Sequence, residues 1–109
     1  MDNKEELKLA RAEGRVVELR GNNNGSMPVT LSVNHINTML QKVPKHLRRF
    51  KLYMVTRRSS VNPGESFQIR LILPEPLAEY PKDAELKFRV GPGDSLVAWT
   101  LPLHGSTSK

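Results

Sequence analysis

Six segments of the chain alternate apolar and polar residues, the pattern of a β-strand that buries one face. These segments are residues 15–20, 28–33, 49–57, 66–73, 84–90 and 95–103. Turns and polar loops separate most of them, and an absence of helical crossovers favours antiparallel pairing. We therefore predict a mainly β (α+β) domain, an antiparallel β-sandwich or open barrel of about six strands.

Two further segments indicate helices. Residues 34–43 place apolar side chains, from Ile36 to Val43, at offsets of three, four and seven. This spacing predicts one amphipathic helix over 34–43 that covers an end or face of the sheets. Residues 1–14 carry acidic residues near the start and a glycine, Gly14, at the end. They predict a marginal N-terminal helix that can fray, because its apolar content is thin.

The 109 residues are enough for one hydrophobic core, so we expect a single domain over 1–109. Within it, GPGD at 91–94 is expected to form a tight turn, and the polar tail at 104–109 is expected to be flexible. The composition, 38% hydrophobic and 26% charged, is typical of a soluble domain. No apolar run approaches the roughly 20 residues of a membrane span, so we expect no integral membrane association.

The N-terminus lacks the apolar centre of a signal peptide, and the chain contains no cysteine. Both features favour a cytoplasmic or other intracellular location. The formal net charge of +6 favours a polyanionic partner.

The positive charge is concentrated in one segment. Residues 42–58 hold seven of the 17 lysines and arginines and none of the 11 acidic residues. The rest of the chain therefore has slightly more acids than bases. A solvated face normally mixes both signs, so this concentration favours a binding function over a merely exposed strand face.

Alternation predicts which side chains share the basic face. Phe50, Leu52 and Met54 are expected in the core, with Arg49, Lys51 and Tyr53 opposite them. If the next strand pairs as a hairpin, Arg70 joins the same face. Our candidate nucleic-acid-binding residues are Lys42, Lys45, Arg48, Arg49, Lys51, Tyr53, Arg57, Arg58 and Arg70.

The chemistry expected of these residues is phosphate contact. Arg and Lys neutralise phosphates, and a tyrosine on a sheet can stack an unpaired base. Besides Tyr53, only Tyr80 is expected to be available for stacking, because the phenylalanines and Trp99 fall on core faces. Lys87 and Arg89, next to Glu85, are interpreted as an ordinary solvated face.

No catalytic or metal-binding pattern is present in the sequence. The three histidines are scattered, without the spacing of metal ligands, and the glycine-containing GPGD lacks the GK[ST] of a phosphate loop. We therefore predict a protein that is not an enzyme and uses no metal or cofactor.

Two hypotheses follow for function. The first is a small protein that binds nucleic acid, RNA or single-stranded DNA, through a basic β-face with low sequence specificity. The second is a structural module that assembles by self-association through strand edges or binds protein partners or an anionic membrane surface. A viral shell, matrix or movement-type component would fit the second hypothesis.

Overall fold

Strands are the predominant regular secondary structure of the computed structural model, which describes residues 3–91 and 97–104. Helix α1 spans Asn3–Ala12. Eight strands follow it in the described residues: β1 (Val16–Asn22), β2 (Val29–Thr30), β3 (Ile36–Gln41), β4 (Lys51–Met54), β5 (Ser60–Val61), β6 (Ser66–Ile72), β7 (Glu85–Val90) and β8 (Val97–Pro102). Three short 3-10 turns span Val33–His35, Lys45–Leu47 and Leu77–Glu79.

The strands form two three-stranded sheets and a short ribbon, all paired antiparallel. One sheet has the order β1-β6-β4 and the other the order β3-β7-β8, while β2 and β5 form the ribbon. The prediction of a mainly β, antiparallel sandwich is therefore confirmed. We call the face of the β1-β6-β4 sheet that points away from the core its outer face.

The two central strands supply the core of the sandwich. Phe67, Ile69 and Leu71 of β6 and the alternate residues of β7 are all at most 1% exposed. The ring of Phe67 stacks on Phe88 of the other sheet with centroids 5.1 Å apart, and Trp99 of β8 lies 4.7 Å from Phe67. These aromatic contacts join the two sheets, as expected for large rings that bury much apolar area.

The predicted amphipathic helix at 34–43 is wrong. After the turn at Val33–His35, the chain forms β3, which pairs with β7 over six residues. Ile36, Thr38 and Leu40 lie opposite Val90, Phe88 and Leu86, so strand alternation decides which side chains face inward. Met39, which the helical spacing placed in the apolar stripe, is 48% exposed on the outside. The neighbouring strand overrides the local spacing because it supplies a hydrogen-bonding partner for the whole segment.

The predicted N-terminal helix is confirmed as α1. Gly14, which follows it, adopts a φ of +72° that favours glycine and allows the chain to reverse into β1. Ala10 is fully buried and Leu7 half-buried, so α1 packs these two apolar residues against the outer face of the sheet, while Leu9 is exposed. The N-terminal helix, and not residues 34–43, is thus the helix that covers a sheet.

Four predictions from the sequence fall partly on residues outside the described ranges. They are the first two residues of the N-terminal helix at 1–14, the turn at 91–94, the start of the strand at 95–103, and the tail at 104–109. The described part of that strand is β8.

Candidate nucleic-acid interface

Most of the candidate residues lie on or near β4 in sequence or pair with it, and β4 is an edge strand of the β1-β6-β4 sheet. Lys42 is an exception, because it follows β3 and pairs with Glu85 of the other sheet. Tyr53 of β4 lies directly opposite Arg70 of β6, and Lys51 lies opposite Ile72. Directly opposed residues of antiparallel strands project from the same face, so these four side chains share the outer face. Phe50, Leu52 and Met54 pack against the core from the other side of the strand, as alternation predicts.

A β-bulge ends the regular pairing of β4. The amides of Val55 and Thr56 both donate to the carbonyl of Gln68, at 2.9 and 3.1 Å. The Thr56 hydroxyl in turn accepts a hydrogen bond from the Gln68 amide at 2.7 Å. A bulge inserts one extra residue and re-aims the chain that follows. Arg57, immediately after it, lies in the same surface groove as Tyr53 and Arg70.

Two neighbouring grooves run between α1 and β4. The first, which we call the α1–β4 groove, is lined by Lys4, Leu7, Tyr53, Met54, Arg57, Arg70 and Ile72. The second is lined by Glu6, Arg15, Arg49, Phe50, Lys51, Ile72, Leu73 and Pro74. Ile72 lines both, so the two grooves adjoin along the outer face.

Carboxylates outside the segment 42–58 neutralise four of the nine candidate residues. Each of the four ion pairs joins the basic residue to an acid outside the segment 42–58. The pairs are Lys42–Glu85 at 3.5 Å, Lys51–Glu6 at 2.5 Å, Arg58–Glu65 at 3.1 Å and Arg70–Glu18 at 3.0 Å. The absence of acids within this segment therefore overstates the positive charge that the folded surface presents.

The ion pairs also shift pKa values. A hydrogen bond to Glu6, together with the charge of that carboxylate, raises the pKa of Lys51. Partial burial acts to raise the pKa of Glu18, but hydrogen bonds from Arg70 and Arg11 outweigh it and lower the pKa overall. One carboxylate thus serves two guanidinium groups, with Glu18 Oε2 at 3.0 Å from Arg70 and 3.1 Å from Arg11. The three side chains together retain a net positive charge.

Four other candidates keep their charge uncompensated. Among the described residues, no carboxylate lies within 4.0 Å of Lys45, Arg48, Arg49 or Arg57. All four side chains are exposed. Lys45 belongs to the turn Lys45–Leu47, and Arg48 Nε donates to the carbonyl of Val43 at 2.9 Å, which fixes the direction of that side chain. We call these four residues the unneutralised cations.

Lys87 and Arg89 do not belong to this surface. They lie on β7 in the other sheet, where Arg89 is opposite Asn37 and Lys87 is opposite Met39. The sequence left open whether their strand shares a sheet with β4, and the topology shows that it does not.

Tyr80 is not available for stacking, contrary to expectation. It is 3% exposed and belongs to the core cluster. Burial raises its pKa, and within the described residues its hydroxyl makes no hydrogen bond of standard geometry. Of the two tyrosines, only Tyr53 reaches the outer surface, half-buried beside α1.

Sequence reasoning missed the contribution of α1. Lys4, Glu6 and Leu7 line the two grooves beside β4, and Glu6 pairs with Lys51 across 45 residues of sequence. The only local signal is that α1 carries acids in its first turn and apolar residues at Leu7 and Ala10. That signal marks a helix that packs on something, but it does not identify the strand that it covers.

Two further kinds of feature, a metal site and a membrane-spanning helix, are absent from the part of the chain that the structure describes. Residues 3–91 and 97–104 contain no cluster of three or more His, Asp or Glu side chains arranged to hold a metal ion. None of the helices in these ranges has the length and apolar character that crossing a bilayer requires. Comparisons with family models, with curated proteins and with solved structures return no match.

Proposed function

We propose that this protein binds single-stranded nucleic acid, RNA or DNA, without catalysis, through phosphate contacts along β4. The observation that carries the proposal is the set of unneutralised cations, Lys45, Arg48, Arg49 and Arg57. Three of them precede β4 in the sequence and one follows it. A cation without a carboxylate partner can neutralise a phosphate and release its counterions without first giving up an ion pair.

The ion-paired residues have a smaller part in this proposal. Lys42, Lys51 and Arg58 each hold a carboxylate within 3.5 Å. A phosphate that approached them would meet that carboxylate as well, so the net attraction would be reduced. The proposal therefore divides the seven basic residues of segment 42–58 into four that bind and three that stabilise the surface.

Low sequence specificity follows from the same arrangement. Phosphate contacts position a nucleic acid but carry no sequence information. Helix α1 has ten residues and packs against the sheet, so it is unsuited to insertion into a major groove. Base contacts are expected mainly at Tyr53.

A second candidate function is assembly through the other sheet. Both β3 and β8 are edge strands, and Met39 on the outer side of β3 is 48% exposed. Unpaired strand edges can pair with another copy of the chain. Light scattering across a concentration series distinguishes the two: assembly gives a rising mass without nucleic acid, while the simple binder keeps one small mass.

The sequence neighbours Arg57 and Arg58 provide a matched test of the proposal. Arg57→Gln removes an unneutralised cation, while Arg58→Gln removes one that pairs with Glu65 and donates to the Ser66 carbonyl. Each phosphate contact with a single strand adds about −0.7 to the slope of log K against log salt. Such a contact therefore raises the affinity about eightfold when the salt concentration falls from 1 M to 50 mM. We expect Arg57→Gln to lose about eightfold at the lower salt and Arg58→Gln to stay within about twofold.

Fluorescence anisotropy with one labelled single-stranded RNA measures both variants. If Arg58→Gln loses as much affinity as Arg57→Gln, the division into paired and unpaired cations is wrong. If neither variant differs from the original protein, the interface does not lie at this end of β4.

A further inference from the structure

The α1–β4 groove has the size and lining of a ligand site. Its volume is about 370 Å³, inside the roughly 300–1,000 Å³ usual for small-ligand pockets. Three basic residues, Lys4, Arg57 and Arg70, line it together with Tyr53. Leu7 of α1 and Ile72 of β6 add apolar surface, and no acidic residue is among the described residues that line it.

This lining suits a ligand that is flat and apolar on one side and anionic on the other. Tyr53 and Ile72 lie on neighbouring strands of the outer face, and Leu7 approaches them from α1. Apolar side chains together with an aromatic residue favour the π-face of a base, which every nucleobase presents. Basic side chains at the same groove favour the phosphate attached to it.

The charge in the groove remains positive despite the ion pair of Arg70. Glu18, which holds Arg70, also holds Arg11, so one carboxylate is divided between two guanidinium groups. Arg57 has no carboxylate within 4.0 Å among the described residues. A phosphate in the groove would therefore meet a net positive environment.

We propose that the α1–β4 groove seats one unpaired base of a bound single strand, with the base against Tyr53 and the adjoining phosphate on Arg57. This inference rests on the proposed function and deepens it, since it names the part of the nucleic acid that the groove takes. A base held in a duplex cannot enter the groove, because it is paired and stacked within the helix.

Binding of an unpaired base in the α1–β4 groove has a consequence that electrostatics alone would not produce. A duplex releases more counterions per contact than a single strand, with slopes of about −0.9 and −0.7 per phosphate, so a purely basic surface favours duplex. A base bound in the groove reverses this preference, because only a single strand can supply an unpaired base. We expect the original protein to bind a single-stranded RNA more tightly than a duplex of the same length.

Substitutions at Tyr53 test whether the groove binds a base, with fluorescence anisotropy measured on three probes. The probes are a single-stranded RNA, a duplex of equal length and a single strand that lacks its bases. Stacking of one base on an aromatic side chain is worth between about 5- and 150-fold in affinity. Tyr53→Ala is expected to lose that factor on the single-stranded RNA with no change in salt slope, and to lose the preference over duplex.

The controls separate a stacking role from a structural one. Tyr53→Phe keeps the ring and is expected to bind like the original protein. The strand without bases is expected to bind the original protein and Tyr53→Ala equally. If Tyr53→Ala binds the single-stranded RNA as tightly as the original protein does, the proposal that the groove binds a base is wrong, while the proposed function stands. If the original protein binds no probe, both are overturned.

Discussion

Reversing the charge of Arg49 and Arg57 together is expected to weaken binding of single-stranded RNA at least about 100-fold at 50 mM salt. Two lost phosphate contacts account for about 60-fold at that salt, and the two new carboxylates add repulsion. Arg49→Glu with Arg57→Glu should leave the fold intact, because both side chains are exposed and neither has a carboxylate partner among the described residues. Anisotropy measures the binding, and a thermal melt checks the fold.

A control pair produces the same change in net charge at neutralised positions. Lys42→Glu with Arg58→Glu removes two cations that pair with Glu85 and Glu65. Exposed ion pairs of this kind contribute only about 0–1 kcal/mol, and each new carboxylate beside Glu85 or Glu65 adds a repulsion of about 1 kcal/mol in water, so the fold should survive. We expect this pair to lose far less affinity than the first pair. Equal losses would mean that binding responds to net charge alone and that β4 does not form a distinct interface.

The second large effect concerns stability and lies at Gly21 of β1. Gly21 is buried, and a Cβ at this position would lie 2.2 Å from Cζ and 2.7 Å from Cε2 of Phe67. The Phe67 ring cannot move away freely, because it packs on both Phe88 and Trp99. Overpacking a dense core costs about 1–3 kcal/mol and occasionally more. We expect Gly21→Ala to lower the free energy of unfolding by about 3 kcal/mol, near the upper end of that range.

Two further variants make the Gly21 prediction specific. Gly25→Ala, in the exposed loop before β2, meets only the Asn23 Oδ1 atom at 3.4 Å, so it should change stability by less than about 0.5 kcal/mol. Adding Phe67→Leu to Gly21→Ala should cost less than the sum of the two single changes, because the smaller side chain relieves the clash. Chemical denaturation measures all of these variants. An unchanged midpoint for Gly21→Ala would show that the ring has room to shift.

The regular strands could be predicted from the sequence because their patterns agree with their final environments. In β7, and in β6 as far as Leu71, apolar residues alternate with polar ones and fill the space between the sheets. β3 could not be assigned in the same way. Its residues Ile36 and Leu40 fit both a helical stripe and an alternating strand, and only the pairing with β7 decides between them. The two residues of β5 leave no periodicity to detect, and of the strand predicted at 28–33 only Val29–Thr30 forms, as β2.

The candidate site was predictable in its face but not in its charge. Alternation correctly grouped Lys51 with Tyr53, and the pairing of β4 with β6 brought Arg70 to the same side. The acids that neutralise part of this surface come from α1, β1, β7 and the turn before β6. A count of charges within one segment cannot include them, because such contacts form only when the chain folds.

The salt dependence of binding by the unchanged protein tests the central claim most directly. Anisotropy with a labelled single-stranded RNA, titrated across a series of salt concentrations, gives the slope of log K against log salt. Four unneutralised cations at about 0.7 each predict a slope near −3. Absence of binding at about 50 mM salt, or a slope near zero, would contradict the claim that these cations hold phosphates.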